Sequence, residues 1–278
     1  MNYSGNAIYE YISQKKLNFY YFVESNWTLI YGNSESVPKM LVFAQKVDNI
    51  SKECTIAEKK EAEMGSRKGL TMETREEAMG EERKEAGKAY SISRELNLPF
   101  VYVRFMENSS HVSIWDEAFG NWKTVTYTEL RNVYEKYGVV RPGTPRKAIN
   151  QYSSSPYHDW QRSNLGKITV SDIDLIKNND DKIEIIELKR SKISLERWKP
   201  YENDFPNFAL LINTVVASGK DIPFKLYYNL MYNGERGQRM EDISKIKAFD
   251  FKIPDRMISV SEVQYSFDGY YELEQLIN

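Results

Sequence analysis

Apolar and polar positions along this chain follow two periods, and the change from one to the other predicts its elements. Spacing near Ala7–Lys16 is helical, and the apolar, aromatic runs Phe19–Val23 and Met40–Gln45 have the length and composition of strands. Thr55–Leu96 is rich in Glu, Lys, Ala and Arg with acids and bases near balance, which predicts exposed helix broken near Gly65–Gly69 and Gly80. Pro99 stops that run, and Phe100-Val-Tyr-Val-Arg-Phe105 predicts a strand. Thr126, with Glu129 three residues later, has the pattern of a capping box ahead of a helix over Leu130–Tyr137. Ile168–Ile176 and Lys182–Lys189 alternate as two strands, and the turn Lys177-Asn-Asn-Asp-Asp181 between them uses residues that tolerate positive φ. Asn207–Ser218 reads as a buried helix ended by Gly219, followed by strands over Pro223–Met231 and Lys247–Ile253.

Gly138-Val-Val-Arg-Pro-Gly-Thr-Pro145 has the composition of a linker. A boundary there divides the 278 residues into 1–140, an N-terminal α/β recognition or dimerisation domain, and 141–278. The halves echo each other. Leu98-Pro-Phe100 leads one strand as Ile222-Pro-Phe224 leads another, and Met40–Lys46 matches Ile183–Lys189 in outline. Two explanations stand: related halves, the first with its acid lost at Ala44, or chance likeness between apolar strands, the commoner case.

Composition narrows the class. With 41% hydrophobic and 28% charged residues the chain is globular rather than disordered. Its single cysteine, Cys54, excludes an internal disulfide and a cysteine-rich metal site, which points to a reducing, cytoplasmic setting. The opening MNYSGNAIYEY lacks the basic and apolar regions of a secretory signal, and the longest apolar stretch, Phe208–Val216, is too short to span a bilayer. Net charge is -2, yet two stretches are locally basic. Arg141, Arg146, Lys147, Arg162 and Lys167 face one acid, Asp159, within 139–171; Lys189, Arg190, Lys192, Arg197 and Lys199 face Glu196 alone within 188–200. Solvated surface is the common explanation of such runs; their place on either side of an acidic cluster points instead to a phosphate-binding rim.

The chemistry centres on Asp174, Glu187 and Lys189. Strand side chains alternate, so Glu187 and Lys189 share a face while Leu188 points into the core. A hairpin after Asp174 returns its carboxylate towards Glu187. Two adjacent carboxylates are costly unless a cation sits between them, and oxygen-only ligands suit Mg²⁺ or Mn²⁺. Such an ion lowers the pKa of bound water and offsets charge on a phosphate, while Lys189 holds or helps deprotonate the attacking water. The competing reading is a solvated strand end with an ordinary Glu187–Lys189 surface ion pair. Phosphate-binding loops, nucleophile elbows and zinc clusters are absent: there are two histidines, His111 and His158.

Asp174-Leu-Ile and Ile186-Glu-Leu-Lys189 resemble the core motif of the PD-(D/E)XK, or restriction-endonuclease-like, nuclease superfamily. The resemblance covers about Tyr157–Met231, with Ile173 where the family name has proline. It implies a mixed α+β fold whose core is a four-stranded mixed sheet flanked by helices, with Mg²⁺ (or Mn²⁺) bound by Asp174, Glu187 and the Leu188 carbonyl. Asp172, two residues before Asp174 on the same predicted strand face, is a further candidate ligand. Tyr157-His-Asp-Trp-Gln-Arg162 resembles the helix that precedes this core; it offers Asp159 as an additional acid and His158 and Arg162 for phosphate. Lys167, Arg190, Lys192 and Lys199 are the remaining expected nucleic-acid contacts, with Tyr201 near them. The implied activity is Mg-dependent cleavage of DNA, as in a type II restriction enzyme, by a chain that can dimerise on a duplex. The alternatives are a structure-specific or single-strand nuclease, or an inactive nucleic-acid-binding protein of the same fold.

Overall fold

The computed structural model describes residues 6–23, 26–47, 84–107, 109–117, 120, 122–140, 156–179, 182–234 and 239–277. The expected helix over 55–83, most of the predicted linker with Arg141, Arg146 and Lys147, and the tip of the 177–181 turn lie outside them. Along the chain run α1 (Ala7–Lys15), β1 (Tyr20–Tyr21), β2 (Trp27–Gly32), β3 (Pro38–Lys46), α2 (Lys84–Glu95), β4 (Phe100–Phe105), β5 (His111–Asp116), β6 (Trp122–Thr126), α3 (Tyr127–Lys136) and α4 (Pro156–Asn164). There follow β7 (Thr169–Asp172), β8 (Leu175–Asn179), β9 (Lys182–Ser191), α5 (Phe205–Ser218), β10 (Phe224–Asn233), β11 (Arg239–Phe251), β12 (Tyr265–Tyr271) and α6 (Leu273–Ile277).

The chain is mixed α+β and divides into two compact units, Met1–Glu24 with Ile173–Asn278 (unit 1) and Ser25–Asp172 (unit 2). In unit 1 the sheet order is β1-β8-β9-β10-β11-β12, and all neighbours are antiparallel except β9 and β10. The parallel pair is joined by α5, whose residues 208–215 are all buried, as an apolar crossover helix requires. Within it Asn213 is satisfied by Ile258, whose carbonyl accepts from Nδ2 (3.0 Å) and whose N–H donates to Oδ1 (2.7 Å). Gly219 ends α5 in the left-handed region (φ 68°). On the opposite sheet face Ile8 and Ile12 of α1 and Leu273 and Ile277 of α6 pack on Leu175, Ile186 and Leu188.

Unit 2 orders its sheet β6-β5-β4-β3-β2-β7, again with one parallel pair, β3 and β4, and α2 in the connection between them. The expected capping box opens α3, where the Thr126 hydroxyl accepts from the Glu129 N–H and the Glu129 carboxylate from the Thr126 N–H.

The two sheets share one plan. Each starts at an edge strand led by a helix (α1–β1 or α4–β7), continues through a hairpin and a helical crossover to a parallel strand, and ends on two antiparallel strands and a helix. One copy of this plan spans Ala7–Lys136 in sequence and the other Pro156–Ile277, but the compact units do not follow the expected cut at 140/141. The first helix and strand of each half pair with the other half's sheet: β1 joins β8 and β7 joins β2. The 1–140/141–278 division therefore marks the repeat, and the folded units divide at Glu24/Ser25 and Asp172/Ile173.

Backbone register aligns the repeats. Leu41 N–H donates to the Pro99 carbonyl (2.9 Å) as Ile185 N–H does to that of Pro223 (3.0 Å). Phe43 thus stands where Glu187 stands, and Gln45 where Lys189 does; the hairpin pairs Leu29↔Val42 and Leu175↔Ile186 set Thr28 at the place of Asp174. The expected equivalence of Ala44 with Glu187 is off by one residue. One-residue slips reverse the face, and Ala44 lies in the α3/α4 core as Leu188 lies in the α1/α6 core.

Ile168–Ile176 is also not one strand. Its apolar positions change phase between Val170 and Ile173, and β7 and β8 belong to different sheets, so Asp172 does not share a strand face with Asp174.

Candidate active site

Leu175 pairs with Ile186 in the β8–β9 hairpin. Asp174 directly precedes β8, one step beyond that last pair, which sets it near Glu187 at the end of the ladder. The Asp174 carboxylate turns back on the strand: its Oδ2 accepts from the Leu188 N–H at 2.8 Å. N–H and C=O of a strand residue point to the same side, so the Leu188 carbonyl faces the side where Asp174 lies. The Asp174 backbone is tied from α1, where the Tyr9 hydroxyl donates to its carbonyl at 2.7 Å and the Tyr9 ring stacks on Phe22.

Glu187 is buried on the α5 face, with a side-chain exposure of 6%, against 28% for Lys189. Lys189 Nζ lies 2.9 Å from Glu187 Oε1, 3.8 Å from Asp204 Oδ2 at the head of α5, and 5.9 Å from the Phe208 ring centre. Burial pulls the Lys189 pKa down, but Glu187 first, then Asp204 and Asp174, outweigh it and hold the ammonium well above the usual lysine range. The pair is therefore not the solvated strand end that the charge pattern alone permits.

Asp204 went unnoticed in the sequence, since no spacing rule links it to Lys189 across the entry to α5. Tyr9 was missed because its place in unit 1 depends on the exchanged segment. Both belong to the same unit as Asp174, Glu187 and Lys189.

Other expected residues fall elsewhere. Asp172, Asp159, His158, Arg162 and Lys167 belong to unit 2. The helix of Asp159 is α4, which packs on the unit 2 sheet; α1 has the corresponding place in unit 1. His158 packs edge-on against Trp27 at 4.8 Å. Burial, then Arg162, hold its pKa below the ordinary range against the opposite pull of Asp172 and Asp159, so the imidazole is neutral at pH 7. Lys167 is exposed. In unit 1, Arg190 binds Glu241 (2.5 Å), whose side chain is 1% exposed and also accepts from Asn229 and the Ala7 N–H. That partnership makes Arg190 a structural cation, while Lys192 and Lys199 are exposed. Trp198 is buried and lies flat on Tyr228 at 4.1 Å.

Among the described residues no three His, Cys, Asp or Glu side chains cluster closely enough to hold a metal ion by themselves. Asp174, Glu187 and the Leu188 carbonyl supply a different set, two carboxylates and one peptide oxygen, all hard donors of the kind Mg²⁺ takes alongside water. No described helix is long and apolar enough to cross a membrane. No protein-family model, curated protein or solved structure matches the chain.

Proposed function

We propose that unit 1 is a metal-dependent nuclease domain of the PD-(D/E)XK type that hydrolyses DNA phosphodiester bonds. The observation that carries this reading is the Asp174 carboxylate fixed on the Leu188 N–H at the end of the β8–β9 hairpin, next to Glu187, which is joined to Lys189. The frame supports it too. Strands β1, β8, β9 and β10 belong to a six-stranded mixed sheet, two strands larger than the core the resemblance implies, with α1 on one face and α5 on the other.

Asp174, Glu187 and the Leu188 carbonyl would hold Mg²⁺ or Mn²⁺. That ion, when bound, supplies water acidified for attack and charge to offset the phosphate. Lys189 keeps its proton at neutral pH because carboxylates surround it. Its Nζ therefore acts as a donor that holds the attacking water or a phosphate oxygen, not as the base. Glu187 and Asp204 fix where that ammonium sits, and Tyr9 fixes the backbone that carries Asp174.

Supercoiled plasmid incubated with the protein and Mg²⁺ or Mn²⁺ tests the proposal, with EDTA and Asp174→Asn as controls. Metal-dependent nicking or cutting that the variant loses is the expected result, and discrete fragments would indicate a sequence-specific enzyme. No cleavage of duplex, branched or single-stranded DNA with either metal would refute it and leave an inactive binding protein of this fold.

A further inference from the structure

The face of the unit 1 sheet that carries Glu187 and Lys189 continues to the edge strand as a row of alternating cation and ring. Register aligns Lys189 with Tyr228, Tyr228 with Lys247 and Lys247 with Tyr270. Three inter-strand steps make the row about 14 Å long.

Over this row lies a continuous chain of aromatic rings. Tyr201 meets Trp198 (5.8 Å between ring centres), Trp198 meets Phe249 (5.7 Å), Phe249 meets Phe267 (6.1 Å) and Phe267 meets Tyr270 (5.1 Å). Its middle is buried and its ends are open: Tyr201 is 45% exposed, Phe267 52% and Tyr270 39%. Lys247 is buried beneath and donates to the Trp198 carbonyl at 2.8 Å, which anchors the ridge. Exposed Lys245 lies 4.9 Å over the Tyr270 ring, and exposed Lys199 is near enough to Lys247 to affect its charge. Glu196 is an acid that acts on Lys245 and Lys247, whereas Asp268 bonds Tyr271, which packs on the α1/α6 side.

Open rings on a firm base, with lysines beside them, are what an unpaired nucleic-acid strand needs. Bases stack on ring faces without regard to sequence, and lysines meet the phosphates. A paired duplex keeps its base faces inside the helix and gains nothing from Phe267 or Tyr270. We propose that this ridge is a stacking platform for a single-stranded segment of the substrate running between Lys189 and the β12 edge. The proposal rests on the nuclease reading for the strand's destination, but its test does not require cleavage.

Binding of the full chain to fluorescein-labelled 20-nucleotide oligo-dT, and to a blunt duplex of equal length, is measured by anisotropy in EDTA. Expected are a preference for the single strand and a loss of about tenfold or more in F267A/Y270A, with duplex binding unchanged. Lys245→Ala should lower the slope of log K against log salt by about 0.7 for single strands. Thermal unfolding of each variant shows that the fold is intact; should the double variant unfold, Tyr201→Ala and the salt slope carry the test. Unchanged oligo-dT binding in these variants overturns the platform, as does a dimer that F267A/Y270A turns into monomers, because the edge would then serve a second copy. A protein that cuts plasmid but ignores oligo-dT loses the platform and keeps the nuclease. One that binds oligo-dT through these rings and cuts nothing does the reverse.

Discussion

The backbone contact of Asp174 and its proposed metal-ligand role can be separated by substitution. Its carboxylate accepts the Leu188 N–H at 2.8 Å, at a residue only 8% exposed. Asp174→Ala leaves that buried donor without this acceptor, which costs about 1–3 kcal/mol. Asp174→Asn keeps an acceptor in the same place, because the amide oxygen takes over from Oδ2, and it relieves repulsion from Glu187. The two variants should therefore differ by about 1–2 kcal/mol in stability, Asn above Ala. In a domain this size, that gap moves the unfolding midpoint by roughly 2–8 °C. Both should lose cleavage and also lose the rise in midpoint expected of the wild-type chain with Mn²⁺, since a ligand stabilises only the state that binds it. Urea and thermal unfolding give the stability difference, and hydrogen exchange at the Leu188 amide reads the bond itself: slow in wild type and Asn, fast in Ala. Equal stability of the two variants with unchanged Leu188 exchange would refute the structural half of this reasoning. Cleavage retained by Asp174→Asn would refute the metal-ligand half.

Four further outcomes follow from the structure. A double-mutant cycle of Lys189→Met and Glu187→Gln in urea should give a coupling of about 1–3 kcal/mol, between the values for exposed and buried pairs. Because the folded-state pKa of Lys189 is raised, its contribution is complete below the unfolded value of about 10.4 and declines as pH rises through the folded one; the Lys189→Met deficit should be flat from about pH 6 to 9 and shrink above about 10.4. Tyr9→Phe removes the donor to the Asp174 carbonyl for about 0.5–1.5 kcal/mol and should lower kcat several-fold with KM unchanged, a split that a merely structural loss would not produce. A fragment spanning 141–278 should not fold alone, since it lacks Ile8, Ile12 and Tyr20, each at most 4% exposed and together worth about 5–9 kcal/mol, close to a domain's whole stability. Circular dichroism should show it unfolded, and folding should return when 1–140 is co-expressed.

What was legible in the sequence was local. The Thr126 capping box, the Gly219 stop and the strand Phe100–Phe105 each follow from contacts within a few residues, and the structure has them. Strand β2 escaped because Trp27-Thr-Leu-Ile-Tyr-Gly32 is buried along nearly its whole length, which erases the alternation that marks a half-exposed strand. Strand β12 escaped for the opposite reason, as an edge strand with most residues open to solvent. The exchange of α1–β1 and α4–β7 leaves no trace in periodicity, since either sheet presents the same alternation to the chain entering it. Among the site residues, Glu187 and Lys189 were readable from strand period, but the sign of a charge does not tell its partner. Arg190 looked like a phosphate contact, and Glu241, 51 residues away, holds it.

The repeat also bears on why the proposed site has no counterpart among the described residues of unit 2. At the register place of Glu187, unit 2 has Phe43, 1% exposed and 5.3 Å from the Tyr102 ring; Gln45, at the place of Lys189, accepts from the Tyr102 hydroxyl. Thr28 replaces Asp174 and is 1% exposed. An acid at position 43 would take the place of a ring packed against Tyr102, so the apolar packing there works against a carboxylate. A chain with one hydrolytic site breaks one strand per encounter. Full cutting of a duplex then needs a second chain or a second visit. With protein limiting, nicked circles should accumulate from supercoiled plasmid before any linear form, and linear product should rise more steeply than in proportion to protein concentration if two chains act together. Linear DNA formed from the outset at limiting protein, with no nicked precursor, would contradict the one-site reading and require a second set of catalytic residues.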